Sequence, residues 1–294
     1  MLVCSQRPGD PGFHVQEDLA TVVRLGQGVD QARRFHPDAM ERTLACLRRY
    51  AERLQALGGS PRETVAVATS GSRDATNSEA FFKEVEAQTG FRFQRISGAQ
   101  EARLTHLGGL LEGMSPETTA VIDIGGGSTE IKTQSGGQSV DIGSVRFTER
   151  YLKNDPVSDE EFWTCQNAID QAIQRSGLVE WRASFTHPIE LCAVAGTATT
   201  LASWFLGLER FEASKIDGLT LSRGDIHRQV EELKWRTIAE RKALAGVEEG
   251  RADVLLAGAL ILWRSLELLN FQRVTISTRG LRYGVLHASA GLKP

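Results

Sequence analysis

The sequence predicts an α/β protein of two domains, and three observations carry that reading. Residues 64–96 run strand, helix, strand: a β-branched run at Thr64–Ala68, helical periodicity over Ser78–Thr89 and alternation over Arg92–Ile96. Two apolar strands, Ala120–Ile124 and Leu191–Ala195, run straight into glycine, Gly125–Gly127 in one case and Gly196 in the other. The length, 294 residues, suits two domains of roughly 100–200 residues each, or one large one.

Each element follows from local pattern. Ala39, Leu44, Leu47, Tyr50 and Leu54 recur at helical spacing within residues 36–58, and Gly58 and Gly59 stop that helix. Around Met114–Thr118 the segment GMSPET (residues 113–118) separates the first α/β set from the second, which places the domains at residues 1–116 and 117–294. Beyond the glycines, Ser128–Thr133 alternates like a strand and Ser135–Gly137 forms another turn, so Gly125–Gly127 sit in a β-hairpin. Ala252–Leu269 reads as a long buried helix, and Arg273–Ile276 as a strand running into Thr278, Arg279 and Gly280.

Composition narrows the function classes. Hydrophobic residues make up 41% and charged residues 24%, which excludes a disordered or fibrous chain. The 34 basic and 37 acidic side chains leave a formal charge of −3, too balanced for a general nucleic-acid coat. Cys4, Cys46, Cys165 and Cys192 are scattered without a CxxC pair, pointing to neither a zinc cluster nor a disulfide framework but to a reducing compartment. The opening apolar run is too short for a signal peptide and Val254–Trp263 too short to span a bilayer, so the expected location is the cytoplasm, without membrane partners.

The hairpin VIDIGGGSTE carries the most chemistry. A dinucleotide fingerprint or a P-loop opens into a helix, and the latter has a Lys beside its Ser/Thr; here a strand follows. Without side chains, Gly125, Gly126 and Gly127 let backbone N–H groups approach phosphate oxygens, and Ser128 and Thr129 are expected to add hydroxyl donors. Asp123 and Glu130 flank that anion site with the oxygen ligands a magnesium ion takes. A merely tight hairpin is the plainer alternative, and the flanking acids weigh against it. The segment TSGSRDATN follows a buried strand, so that Ser70 can face an anion and Arg73 supply fixed positive charge, unless Arg73 pairs with Asp74 or Glu79. Gly196 and Thr197 enter a helix from a strand end, suited either to a phosphate or to close helix packing.

These residues resemble the actin, hexokinase and Hsp70 class of phosphate-binding folds. TSGSRDATN, ISGAQEARL, VIDIGGGSTE, GSVRFTERYL, AVAGTATTLA, GRADVLLAGALIL and STRGLRYG occur in the order, and at about the spacing, of the exopolyphosphatase and guanosine pentaphosphate phosphatase (Ppx/GppA) family. The resemblance implies two actin-like (ASKHA, ribonuclease H-like) domains with an interdomain cleft. Glu101 occupies the place of the family's catalytic base, and Arg73 that of the arginine contacting the transferred phosphate. Gly143, Ser144 and Arg146 extend the phosphate track; Asn77 contacts substrate or organises backbone; Arg251 and Asp253 bind each other. Two departures stand out. The family's first strand and phosphate loop, close to DxGSNS, would precede Met1, and Thr278 stands where the family commonly has Asp. Large members also carry a C-terminal HD-type domain, for which no residues remain.

The expected activity is magnesium-dependent removal of a terminal phosphate from inorganic polyphosphate or guanosine pentaphosphate. Rival readings are a kinase of the same superfamily, against which Glu101 in its motif argues, and a non-catalytic polyphosphate- or nucleotide-binding relative. The resemblance further implies a homodimer.

Overall fold

The computed structural model describes residues 1–6 and 12–290. Two compact units divide between Ile96 and Ser97. That division precedes the one expected after residue 116, because the helix following it packs with the second unit.

In the first unit, β1 (Leu2–Ser5) pairs antiparallel with β2 (His14–Asp18), followed by α1 (Val29–Ala32) and α2 (Pro37–Ala56). The long helix starts at Pro37, whose fixed φ suits the first helical turn, and the His36 ring accepts from Asp38 N–H at 3.3 Å. Then come β3 (Ala66–Ala68), α3 (Ser70–Asp74), α4 (Ser78–Thr89) and β4 (Phe93–Arg95), with β3 and β4 parallel. The expected strand, helix, strand succession is thus a crossover unit. Its core gathers Phe35, Leu54, Phe81, Val85 and Phe91, and Phe35 meets Phe81 edge-on at 5.8 Å.

The second unit opens with α5 (Gly98–Gly109) and is built on one six-stranded sheet of order β7-β6-β5-β8-β10-β9. Strands β5 (Thr119–Ile124), β6 (Thr129–Lys132) and β7 (Gly137–Val140) form an antiparallel meander; β8 (Glu190–Val194) and β10 (Arg273–Ile276) continue parallel to β5, and β9 (Thr220–Ser222) is the antiparallel edge beyond. The sheet is mixed, within the expected α/β class. Between strands lie α6 (Ser144–Tyr151), α7 (Asp159–Arg175), α8 (Leu178–Ala183), α9 (Ala195–Phe205), α10 (Ala213–Ile216), α11 (Arg223–Lys234), α12 (Ile238–Lys242) and α13 (Leu255–Leu268), with α14 (Leu281–Ala290) last.

Helix α13 is buried along nearly all its length, as its unbroken apolar run predicts, and joins α7, α9 and α11 in the main core. Helix α5 lies over β5, β6 and β7 and packs against α14. That crossing is close because it is made by glycine: a Cβ at Gly284 would be driven into the Leu104 carbonyl, and one at Gly108 into the backbone of Gly280 and Gly284. Among the described residues, no helix is long and apolar enough to cross a membrane.

Candidate active site

The parallel strands β5, β8 and β10 end side by side, so the turns that follow them share one edge of the sheet. In open α/β sheets that edge is where ligands bind. The first turn is Gly125–Ser128. It is closed by Gly125 N–H donating to Ser128 O at 2.9 Å, and the N–H groups of Gly126, Gly127 and Ser128 donate to no acceptor among the described residues. Donors left open in a glycine turn form an anion cradle. Helix α6 backs it: Ser144 N–H donates to Gly125 O, and Val145 and Arg146 N–H to Gly126 O. The residue that caps α6 must be bare, since a Cβ at Gly143 would strike the Gly126 carbonyl.

Beside the cradle stands a row of polar side chains. Asp123 is directly opposite Glu130 across β5 and β6, and Glu130 is directly opposite Ser139 across β6 and β7. Opposite residues share a face, and this is the face α5 covers. Glu101, buried in the first turn of α5, completes the acidic group. A capping box holds that turn: Ser97 Oγ accepts from Gln100 N–H at 3.2 Å and Gln100 Oε1 accepts from Ser97 N–H at 2.9 Å.

Crowding shows in the protonation equilibria. Burial first, and then the Glu101 charge, push the Asp123 carboxyl up to about 7. Burial, Glu101 and Asp123 push Glu130 up to about 8, against the Ser139 and Ser128 hydrogen bonds that favour its ionised form. Among the described residues, no cation contributes to either shift. Asp123 and Glu130 are the residues that could hold a hard cation, though among the described residues no group of three or more His, Cys, Asp or Glu side chains is arranged to ligate a metal.

The expected hydroxyl donors are otherwise engaged. Ser128 Oγ donates to Glu130 Oε1 at 2.8 Å and Thr129 Oγ1 to Ile142 O at 2.6 Å. A hydroxyl has one proton, so in this structure the cradle's open donors are backbone N–H groups, while Ser128 orients Glu130 and Thr129 ties the hairpin to the segment before α6. Ser144 Oγ likewise donates to Gly125 O at 3.3 Å.

At the second turn, the strand stops at Val194, and Ala195 opens α9 with φ 64°, a left-handed conformation unusual for a residue with a Cβ. Gly196 faces the Arg251 guanidinium, where a Cβ would overlap it, and Thr197 is buried against Gly258. Of the two roles left open for this turn, these contacts are those of close packing. Arg251 pairs with Glu248, Nε to Oε2 at 2.7 Å, in place of the expected bond to Asp253: one turn of 3₁₀ helix brings Glu248 alongside. At the third turn Thr278 N–H donates to Asp217 Oδ1 at 2.6 Å, which ties this turn to the loop after α10.

In the first unit, Ser70 is buried at the start of α3, and Arg73 is exposed with one N–H donated to Ile96 O at 3.0 Å. Asn77 organises backbone: its side-chain amide both accepts from Phe35 N–H and donates to Phe35 O. A cavity of about 440 Å³ in this unit, between Arg34, Phe35, Met40, Phe81 and Glu84, contains neither Ser70 nor Arg73.

Sequence reasoning missed Ser139, Thr105 and Asp217. Hairpin counting from Glu130 through the Ser135–Gly137 turn would have found Ser139. Thr105 follows Glu101 by one helical turn, is buried without a well-formed hydrogen bond for its hydroxyl, and approaches the Asp123 carboxyl closely enough to oppose its upward shift. No local signal marks Asp217.

A family model described as the Ppx/GppA phosphatase family matches residues 2–292. Exopolyphosphatase 2 of Mycobacterium tuberculosis is 34% identical over 288 residues, covering 92% of this chain and 88% of its own length. An exopolyphosphatase structure from Cytophaga hutchinsonii superimposes with a TM-score of 0.86 at 26% identity, over 99% of this chain and 94% of the other. A Ppx/GppA family member from Aquifex aeolicus gives 0.74 at 26% identity, over 98% and 92%.

Proposed function

Because the chain belongs to the Ppx/GppA phosphatase family, we propose that it hydrolyses the terminal phosphoanhydride of inorganic polyphosphate or guanosine pentaphosphate and releases orthophosphate. The observation that carries this reading is the pairing, at one sheet edge, of a glycine turn with open N–H donors, the buried carboxylates Glu101 and Glu130 and the half-buried Asp123 between them. Phosphoryl transfer asks little covalent chemistry of a protein, so positioning, charge and one base suffice.

The N–H groups of Gly126, Gly127 and Ser128 hold oxygens of the substrate phosphates. Glu101 takes a proton from a water whose oxygen bonds to the terminal phosphorus as the bridging P–O bond breaks; the electron pair leaves with the shortened chain. The donor set fits magnesium: Asp123 and Glu130 offer carboxylate oxygens, and a cation that normally keeps several waters needs few protein ligands. When bound, magnesium supplies positive charge against the phosphate oxygens. The exposed Arg73 of the first unit is the proposed second source of positive charge.

Purified protein incubated with long-chain polyphosphate, or with guanosine pentaphosphate, and magnesium is expected to release free phosphate without any acceptor. Binding of both compounds without release would favour the non-catalytic reading, and release only when a hydroxyl acceptor is supplied would favour a kinase.

A further inference from the structure

The Ser139 hydroxyl comes from β7, one of the sheet's two edge strands, and donates to Glu130 Oε1 at 2.6 Å. Ser128, from the glycine turn, donates to the same oxygen at 2.8 Å. Two donors satisfy the two lone pairs of Oε1. Oε2 accepts no hydrogen bond among the described residues. A glutamate has three rotatable bonds, and ordering such a side chain costs conformational entropy; hydroxyls from a turn and from a separate strand, converging on one oxygen, hold a single orientation.

We propose that Ser139 is a positioning residue for Glu130: by saturating Oε1 together with Ser128, it leaves Oε2 as the oxygen available to a cation or substrate. The role rests on the hydrolase reading above. Register supports it, because Asp123, Glu130 and Ser139 form one cross-strand row on the face under α5. Ser139 also has a clean separation from the phosphate cradle that Ser128 lacks. Removing Ser128 would disturb the turn itself, whereas Ser139 lies beyond it and contributes no donor to the cradle.

The test uses Ser139→Ala and Ser139→Thr in the full chain, the latter keeping a hydroxyl on a residue well suited to a strand. Crystal structures report the Glu130 orientation, and phosphate release titrated with magnesium reports its consequence. Ser139→Ala is expected to free the Glu130 carboxylate from its single orientation and to raise the magnesium concentration for half-maximal release by about tenfold, the usual scale for a residue that orients a metal ligand. Ser139→Thr is expected to restore both. Glu130 unmoved in Ser139→Ala, an unchanged magnesium titration, or a threonine variant that behaves like alanine would overturn the proposal. Should the parent protein release no phosphate, the hydrolase reading fails by itself, while the orientation of Glu130 in the two variants still decides the role of Ser139.

Discussion

Asp123 and Glu130 face each other directly across the hairpin that the glycine turn closes, with Ile124 and Thr129 as the next pair toward the turn. Opposed residues on antiparallel strands have Cβ atoms about 5 Å apart, and like charges there are destabilising. Glu101 adds a third carboxyl from α5 to the same buried face. Such a grouping reduces stability and is expected where it serves binding or catalysis.

Glu101→Gln removes the proposed base while keeping size and hydrogen-bonding capacity. Phosphate release is expected to fall by at least about a hundredfold with polyphosphate binding nearly intact. Comparable turnover in variant and parent would end the assignment.

Asp123→Ala is expected to raise the magnesium concentration needed for half-maximal activity. The measurement is a metal titration of phosphate release at fixed substrate. An unchanged curve would remove Asp123 from the ligand set.

The upward shifts of Asp123 and Glu130 predict how metal-free stability varies with pH. Both groups hold protons in the folded chain up to about 7 and about 8, while in the unfolded chain they lose them near the ordinary carboxylate value of about 4. Between those limits the folded state binds more protons, so stability is greatest at the acid end of the window and falls as pH rises through it. Melting temperatures without metal should drop by several degrees from about pH 5.5 to about pH 8.5. Glu130→Gln should flatten that slope; equal slopes in variant and parent would show that the shift is absent.

Gly143→Ala should disable the cradle while leaving the acids in place. Its added methyl would be forced into the Gly126 carbonyl, whereas in Gly126→Ala the methyl meets only the Val145 side chain, at 3.2 Å. We expect activity to drop about a hundredfold for the first, as displaced positioning groups commonly cause, and clearly less for the second. Equal effects would argue against the close backing of the turn.

Gly284→Ala drives a methyl into the Leu104 carbonyl where α14 crosses α5. Overpacking of this kind costs about 1–3 kcal/mol, and because α5 carries Glu101, kcat should fall with stability. Gly224→Ala is the control: in α11 its Cβ meets only Ser222 Oγ, at 3.7 Å, so the change should raise stability by about 0.5–1 kcal/mol. Denaturant midpoints and phosphate release on the two variants separate these outcomes.

Much of this protein is written locally. Strand identity at Ala120–Ile124, the hairpin through Gly125–Gly127, the helix at Ser78–Thr89 and the buried run of α13 all follow from periodicity and glycine placement, which act over a few residues. The motif order around Glu101, Asp123 and Glu130 was legible through its resemblance to a known family rather than through periodicity, and the hairpin makes the last two residues face each other. Tertiary structure decided the rest. The hydroxyls of Ser128 and Thr129 looked like phosphate donors, but their acceptors are Glu130 and the carbonyl of Ile142, the latter brought in by the segment before α6. Helix α5 belongs with the second unit because Gly108 meets Gly280 and Gly284, residues near the opposite end of the chain. Asp217 reaches the Thr278 N–H from the loop after α10. In each case a side chain's role depends on which acceptor or backbone the fold carries to it, and a pattern that repeats every two or 3.6 residues has no means of specifying a partner so far away in the chain.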